Sequence, residues 1–180
     1  MPNASRNKQM FALSSAPPEE LSVAGAVYCL VRVFKHDFWA ATCLYESAGG
    51  NFPKIVVKFG REQGFFGLAL AWTGKMLADH EEAIYHALEG VSGVPRWVGR
   101  LSPTCYAIEY IEAVPLDHLE TIPTGVFDRL RAIFDAIHAR GVAYGDANKK
   151  SNVLIKADGE PALIDFQIAL RRRDDWPRPM

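Results

Sequence analysis

The stretch YGDANKKSNVLIKADGEPALIDF, Tyr144–Phe166, decides how this chain is read. It holds two short apolar runs, Val153–Ile155 and Ala162–Ile164, separated by Asp158-Gly159, a dipeptide that favours a tight hairpin turn. Asn152 immediately precedes the first run and Asp165 immediately follows the second. Antiparallel pairing brings these two positions to one end of the hairpin. An amide oxygen and a carboxylate can then face one point, a sensible partial shell for a hard cation such as Mg2+. An isolated acid at the end of a buried strand also needs a partner. Asp146 lies six positions before Asn152 in a polar loop. A loop aspartate is commonly a turn former or cap; read together with Asn152, Asp146 becomes a candidate catalytic residue. Lys149 and Lys150 either reach a transferred group or are solvated loop charges.

Upstream, the apolar run Leu21–Phe34, the segment FWAATCLYES and the segment KIVVKFG read as three antiparallel strands, with Gly49-Gly50 in the last turn. Lys58 ends the triplet Val56-Val57-Lys58, where the ordinary alternative is a strand lysine reaching solvent. From Gly64 to Gly90 the apolar period changes from two to about 3.6, which predicts a helix, either continuous or broken at Gly74. Leu70, Leu77, Ile84 and Leu88 share one face. Glu81 and Glu82 are adjacent, so only one can face inward. Glu81 is preferred because Tyr85 and Leu88 then fall on the same face, and Glu82 is the alternative. WVGRL and CYAIEYI predict two further strands. A second helix is expected over Thr124–Arg140, with Thr124 as N-cap and Gly141 as the C-terminal stop.

Taken in order, VVK, the helical glutamate, YGDANKKSN and IDF resemble the motifs of the protein kinase-like superfamily. Among its branches the sequence looks closest to small bacterial RIO-like and lipopolysaccharide kinase-like serine/threonine kinases. The resemblance covers about residues 25–170 and implies an α+β, two-lobed kinase-like fold: an antiparallel N-lobe sheet plus helix, and an abbreviated helical C-lobe. It implies that Lys58 holds ATP phosphates and that Glu81 pairs with it. Asp146 would orient the acceptor hydroxyl, and Asn152 and Asp165 would bind Mg2+. AIEYI, Ala107–Ile111, resembles the hinge, whose backbone at Glu109 and Ile111 would meet adenine. The implied activity is transfer of the γ-phosphoryl group of ATP to a hydroxyl of a protein, sugar or lipid. On this reading residues 1–20 are a flexible lead-in, 21–112 the N-lobe, 113–170 the C-lobe, and 171–180 a charged tail.

Three features depart from the family pattern. The expected phosphate loop, KHDFWAAT at Lys35–Thr42, has no glycine; Tyr144 stands at the usual histidine, and DFG reads Asp165-Phe166-Gln167. They keep open a second class of function, a pseudokinase that binds nucleotide or acts as a scaffold.

Composition bounds the rest. In 180 residues, 20 Lys and Arg stand against 21 Asp and Glu, which gives no global attraction to nucleic acid. Cys29, Cys43 and Cys105 are odd in number and lack CxxC spacing, which fits small buried hydrophobes in a reducing cytoplasm. The polar start MPNASRNKQM lacks the apolar core of a secretory signal, so a cytoplasmic location is expected. Phe65, Phe66 and Trp72 leave room for peripheral contact with the inner membrane. Fifteen residues follow Asp165, too few for the helical region that peptide-directed kinases use in docking. The acceptor is therefore expected to bind minimally, or to be presented by a partner protein.

Overall fold

Val23 and Ala26 face each other across Ala24-Gly25, whose φ angles are 50° and 83°. Positive φ at both central residues makes the two-residue turn that matches strand twist. The run 21–34, expected as one strand, is therefore two: β1 (Glu20–Val23) and β2 (Ala26–His36). The computed structural model describes residues 10–64 and 70–172. These group into two compact units, one of residues up to His80 with Trp97–Tyr110, the other of Glu81–Arg96 with residues from Ile111 onward. The expected division at 112/113 thus misses the transfer of residues 81–96 to the second unit.

The first unit is a six-stranded antiparallel sheet completed by β3 (Ala40–Ser47), β4 (Ile55–Gly60), β5 (Trp97–Ser102) and β6 (Cys105–Glu109), in the order β1-β2-β3-β4-β6-β5. Cys43, Val57 and Ala107 are register partners on one face and are fully buried, with Tyr45 and Ile55 beside them. Strand alternation therefore sets Lys58 on the opposite face, between Thr42 and Tyr106.

Arg61 follows β4 and is completely buried. Its guanidinium donates to the carbonyls of Phe38 (2.8 Å), Phe11 (3.3 Å) and Gly64 (3.1 Å), and lies 3.8 Å from the centre of the Phe38 ring. The segment expected as a free lead-in to residue 20 is tied down over its described part. Ala12 is fully buried and donates to the Asp37 carbonyl, and the Tyr45 hydroxyl donates to the Pro18 carbonyl.

Helix α1 (Ala71–Ala87) runs through Gly74 without a break. A Cβ at Gly74 would lie 2.3 Å from the Arg61 carbonyl oxygen, so glycine here permits close approach rather than ending the helix. Its buried positions are Gly74, Ala78, Glu81, Ile84 and Tyr85, at helical spacing and continued by Leu88 just past its end, whereas Leu77 and the preceding Leu70 are half-buried. Trp72 stands 62% exposed in the first turn; Phe65 and Phe66 lie outside the described residues.

The second unit holds helix α2 (Val126–Ala139) and two small sheets. β7 (Val114–Pro115), β9 (Val153–Ile155) and β10 (Pro161–Leu163) form the three-stranded order β10-β9-β7. β8 (Val142–Ala143) pairs with β11 (Leu170–Arg171). Val126, Ile133 and Ile137 are the buried stripe of α2. Gly125, at φ 75°, occupies the N-cap expected for Thr124 and makes no side-chain cap bond. Gly141, at φ 72°, follows the helix and donates to the His138 carbonyl, the usual device for ending a helix. Arg140 donates to the carbonyls of Ala87 and Glu89 at the end of α1. Arg171 and Arg172, expected to open a charged tail, are instead held by backbone pairing. Arg171 belongs to β11 and the Arg172 amide donates to Gly141, while residues 173–180 lie outside the described part.

Candidate active site

The second unit brings Asp146, Asn152 and Asp165 together. β9 and β10 pair in the register Val153 with Leu163, and the Ile164 amide donates to the Asn152 carbonyl at 3.0 Å. Asn152 and Asp165 therefore sit at one end of the hairpin. The Lys149 amide donates to the Asp146 carbonyl and the Asn152 amide to the Lys149 carbonyl, which curls the loop back on itself. Asn152, 4% exposed, then donates from Nδ2 to Oδ2 of Asp146 at 2.9 Å. The Lys149 ammonium lies 3.8 Å from Asp146 Oδ2 and 3.7 Å from Asp165 Oδ2. Asp165 has φ 62°, a left-handed backbone that a non-glycine residue keeps only where its surroundings impose it.

Aromatic packing supplies that constraint. Phe166 is fully buried and meets Tyr85 and Tyr144 edge to face at 5.5 and 5.1 Å, and Phe134 lies 6.0 Å from Tyr144. The Tyr144 hydroxyl donates to the Ile164 carbonyl at 2.6 Å, joining the loop to the strand end that carries Asp165. Burial raises the Tyr144 pKa far above its ordinary value; the Asn152 amide pulls it back, and Asp165 and Asp146 push it up. Tyr85 is likewise raised, by burial first and then by Glu81, Asp165 and Tyr144. Both phenols stay protonated at ordinary pH. Gly145 packs so closely that a Cβ would lie 2.5 Å from the Ile168 carbonyl oxygen.

The remaining expected site residues are distributed over both units. Lys58 lies on β4 and Glu109 ends β6, in register with Ile55, both in the first unit. Glu81 and Ile111 belong to the second. Glu81 is 2% exposed, whereas Glu82 is half-exposed and lies 3.9 Å from His86 Nε2.

At the β2–β3 connection, Asp37 Oδ1 accepts the amides of Trp39 (2.9 Å) and Ala40 (3.0 Å), and Oδ2 pairs with Lys35 at 2.5 Å. Burial works to raise the Asp37 pKa, but Lys35 and these two amides outweigh it and hold the carboxyl below its ordinary value. Amides that a glycine-rich loop would offer to phosphate are thus engaged by the protein's own carboxylate.

Neither a comparison with protein-family models nor one with the sequences of curated proteins finds a match. Solved structures do match. The Rio2 kinase of Chaetomium thermophilum, solved as an ADP/Mg2+-phosphoaspartate complex, aligns with a TM-score of 0.62 at 19% identity, covering 82% of this chain. The chain has a protein kinase-like fold of the RIO type. It spans half the length of that Rio2 kinase chain, since the match covers 50% of it. Within the kinase-like fold, the α+β character and the antiparallel sheet of the first unit agree with the sequence reading.

The donor chemistry of the hairpin end suits a hard cation. Asp165 supplies a carboxylate; the Asn152 amide nitrogen is committed to Asp146, which leaves the amide oxygen as the donor for a cation. Among the described residues, no group of three or more His, Cys, Asp or Glu gathers as a metal site. One carboxylate and one amide fit Mg2+ arriving with nucleotide phosphates, which would supply further oxygens. Arg61, the capping role of Asp37 and the Tyr144 bridge are absent from the sequence reading. Asp37 before Trp39 and Ala40 carries the one local signal, since aspartate readily accepts from amides two and three positions on.

Proposed function

We propose that this protein is an ATP- and Mg2+-dependent phosphotransferase that moves a γ-phosphoryl group to a hydroxyl. The observation that carries the proposal is the convergence of Asp146, Asn152 and Asp165 at one hairpin end in a kinase-like fold. Asp146 orients the acceptor hydroxyl and receives its proton. Lys58 neutralises phosphate oxygens, with Glu81 as its partner, and the backbone at Glu109 and Ile111 receives adenine. Asn152 and Asp165 hold Mg2+, which when bound offsets charge developing on the transferred group. The Rio2 kinase complex with ADP and Mg2+ supports the same ligands here. The acceptor is a protein serine or threonine, or a sugar or lipid, presented by a partner protein if this chain alone does not dock it. Trp72, exposed on α1, is the proposed point of any contact with a membrane surface, which co-sedimentation with vesicles tests. No helix among the described residues is long and apolar enough to cross a membrane.

The test is transfer of labelled γ-phosphate to candidate acceptors. Asp146→Ala and Asp165→Ala should each abolish it, and survival of transfer in either contradicts the roles assigned. A second reading, a pseudokinase, draws on the Asp37 cap, which engages the Trp39 and Ala40 amides. Nucleotide binding without transfer to any acceptor would favour it.

A further inference from the structure

Lys149 has no part in the transfer scheme above, yet its ammonium is within 4 Å of both acids. Asp146 and Asp165 come from different segments, one from the loop after β8 and the other from the end of β10. A single side chain therefore serves as counter-charge to both. The backbone at Lys149 is held on each side, its amide by Asp146 and its carbonyl by Asn152, so the side chain starts from a fixed point. Lys150, its neighbour, is exposed. A divalent cation on the oxygens of Asp165 and Asn152 would sit a few ångströms from the Lys149 ammonium. The two positive charges would repel at short range, in surroundings where water screens them only in part. Side-chain exposures of 29% for Asp146, 31% for Asp165 and 47% for Lys149 put the cluster in that range.

We propose that Lys149 is a resident cation that blocks metal uptake at the hairpin end in the absence of nucleotide and makes it conditional on nucleotide. In the free protein the ammonium neutralises Asp146 and Asp165. Nucleotide phosphates bring enough negative charge to hold the ammonium and a divalent cation together. The identity of the nucleotide and of Mg2+ rests on the phosphotransferase reading; the ion-pair geometry does not.

Mn2+ alone, followed by electron paramagnetic resonance on the full chain without nucleotide, provides the test. Lys149→Met removes the charge and keeps the length, and Lys149→Arg keeps the charge. Lys149→Met should bind Mn2+ at least about tenfold more tightly than the unaltered protein, as expected when a neighbouring positive charge is removed. Lys149→Arg should bind as weakly as the unaltered protein, and adding Asp165→Asn to Lys149→Met should remove the gain. Equal or weaker binding in Lys149→Met, or equally tight binding in Lys149→Arg, overturns the proposal. Circular dichroism checks folding, and Lys149→Gln replaces Lys149→Met should that variant not fold. Tightened Mn2+ binding in a protein that binds no ATP would sustain the role of Lys149 and sink the phosphotransferase reading. The converse pair of results would separate the two the other way.

Discussion

Asn152 donates from Nδ2 to Oδ2 of Asp146 at 2.9 Å, so the residue at the base of the hairpin fixes the acid of the loop. Asn152 is buried, and its backbone also closes the loop through Lys149 and Ile164. Asn152→Ala should lower stability by about 1–3 kcal/mol, the usual cost of unmaking a buried polar interaction. It should also reduce phosphoryl transfer more than tenfold. Urea denaturation and a transfer assay read the two effects, and an unchanged denaturation midpoint would remove Asn152 from this role.

Tyr144 joins the same loop to the strand end before Asp165. Tyr144→Phe keeps the ring against Phe166 and Phe134 and removes the hydroxyl, which donates to the Ile164 carbonyl and meets the Asn152 amide. The expected cost is about 1–2 kcal/mol. A denaturant midpoint indistinguishable from that of the unaltered protein would mean that the bridge is energetically idle.

Gly145 has no room for a side chain. Gly145→Ala places a methyl group 2.5 Å from a backbone oxygen, and backbone must move to admit it. A loss of about 1–3 kcal/mol follows from overpacking of this kind. Gly99 is the control, because a Cβ there meets nothing within 4 Å; Gly99→Ala should change stability by less than about 0.5 kcal/mol. Equal effects at the two positions would contradict the packing argument.

Much of this arrangement is legible in the sequence, for local reasons. Asp158-Gly159 between two apolar runs specifies the hairpin, and the hairpin alone brings Asn152 and Asp165 to one end. The turn at Ala24-Gly25 is hidden, because the apolar run continues on both sides and alanine rarely takes positive φ. Gly74 is ambiguous for a related reason. Glycine costs helix stability, which suggests a break, but the Arg61 backbone that needs the space is distant in sequence. Arg61 is the least legible residue. Its burial depends on carbonyls of Phe11, Phe38 and Gly64, up to 50 positions away, which no local pattern reveals.

Cys43 and Cys105 give the first unit an alkaline limit. Burial pushes Cys43 up to about 11; burial, then Glu62 and Cys43, push Cys105 up to about 12 against an opposing pull from Arg100. The folded state therefore binds these protons more tightly than the unfolded chain, whose thiols titrate near 9.0. Their contribution is fully present below pH 9 and is lost as pH rises toward the folded values. Urea midpoints should fall from about pH 9 upward, and both thiols should resist alkylation at pH 8 until the protein unfolds. Rapid alkylation of Cys43 in the folded protein would contradict its burial.

Calorimetric titration with ATP, with and without Mg2+, of the unaltered protein and of Asp165→Ala tests the central claim most directly. The account predicts binding that Mg2+ strengthens in the unaltered protein, and loss of that strengthening in Asp165→Ala. No binding of ATP at all, or binding equally dependent on Mg2+ in both proteins, would contradict it.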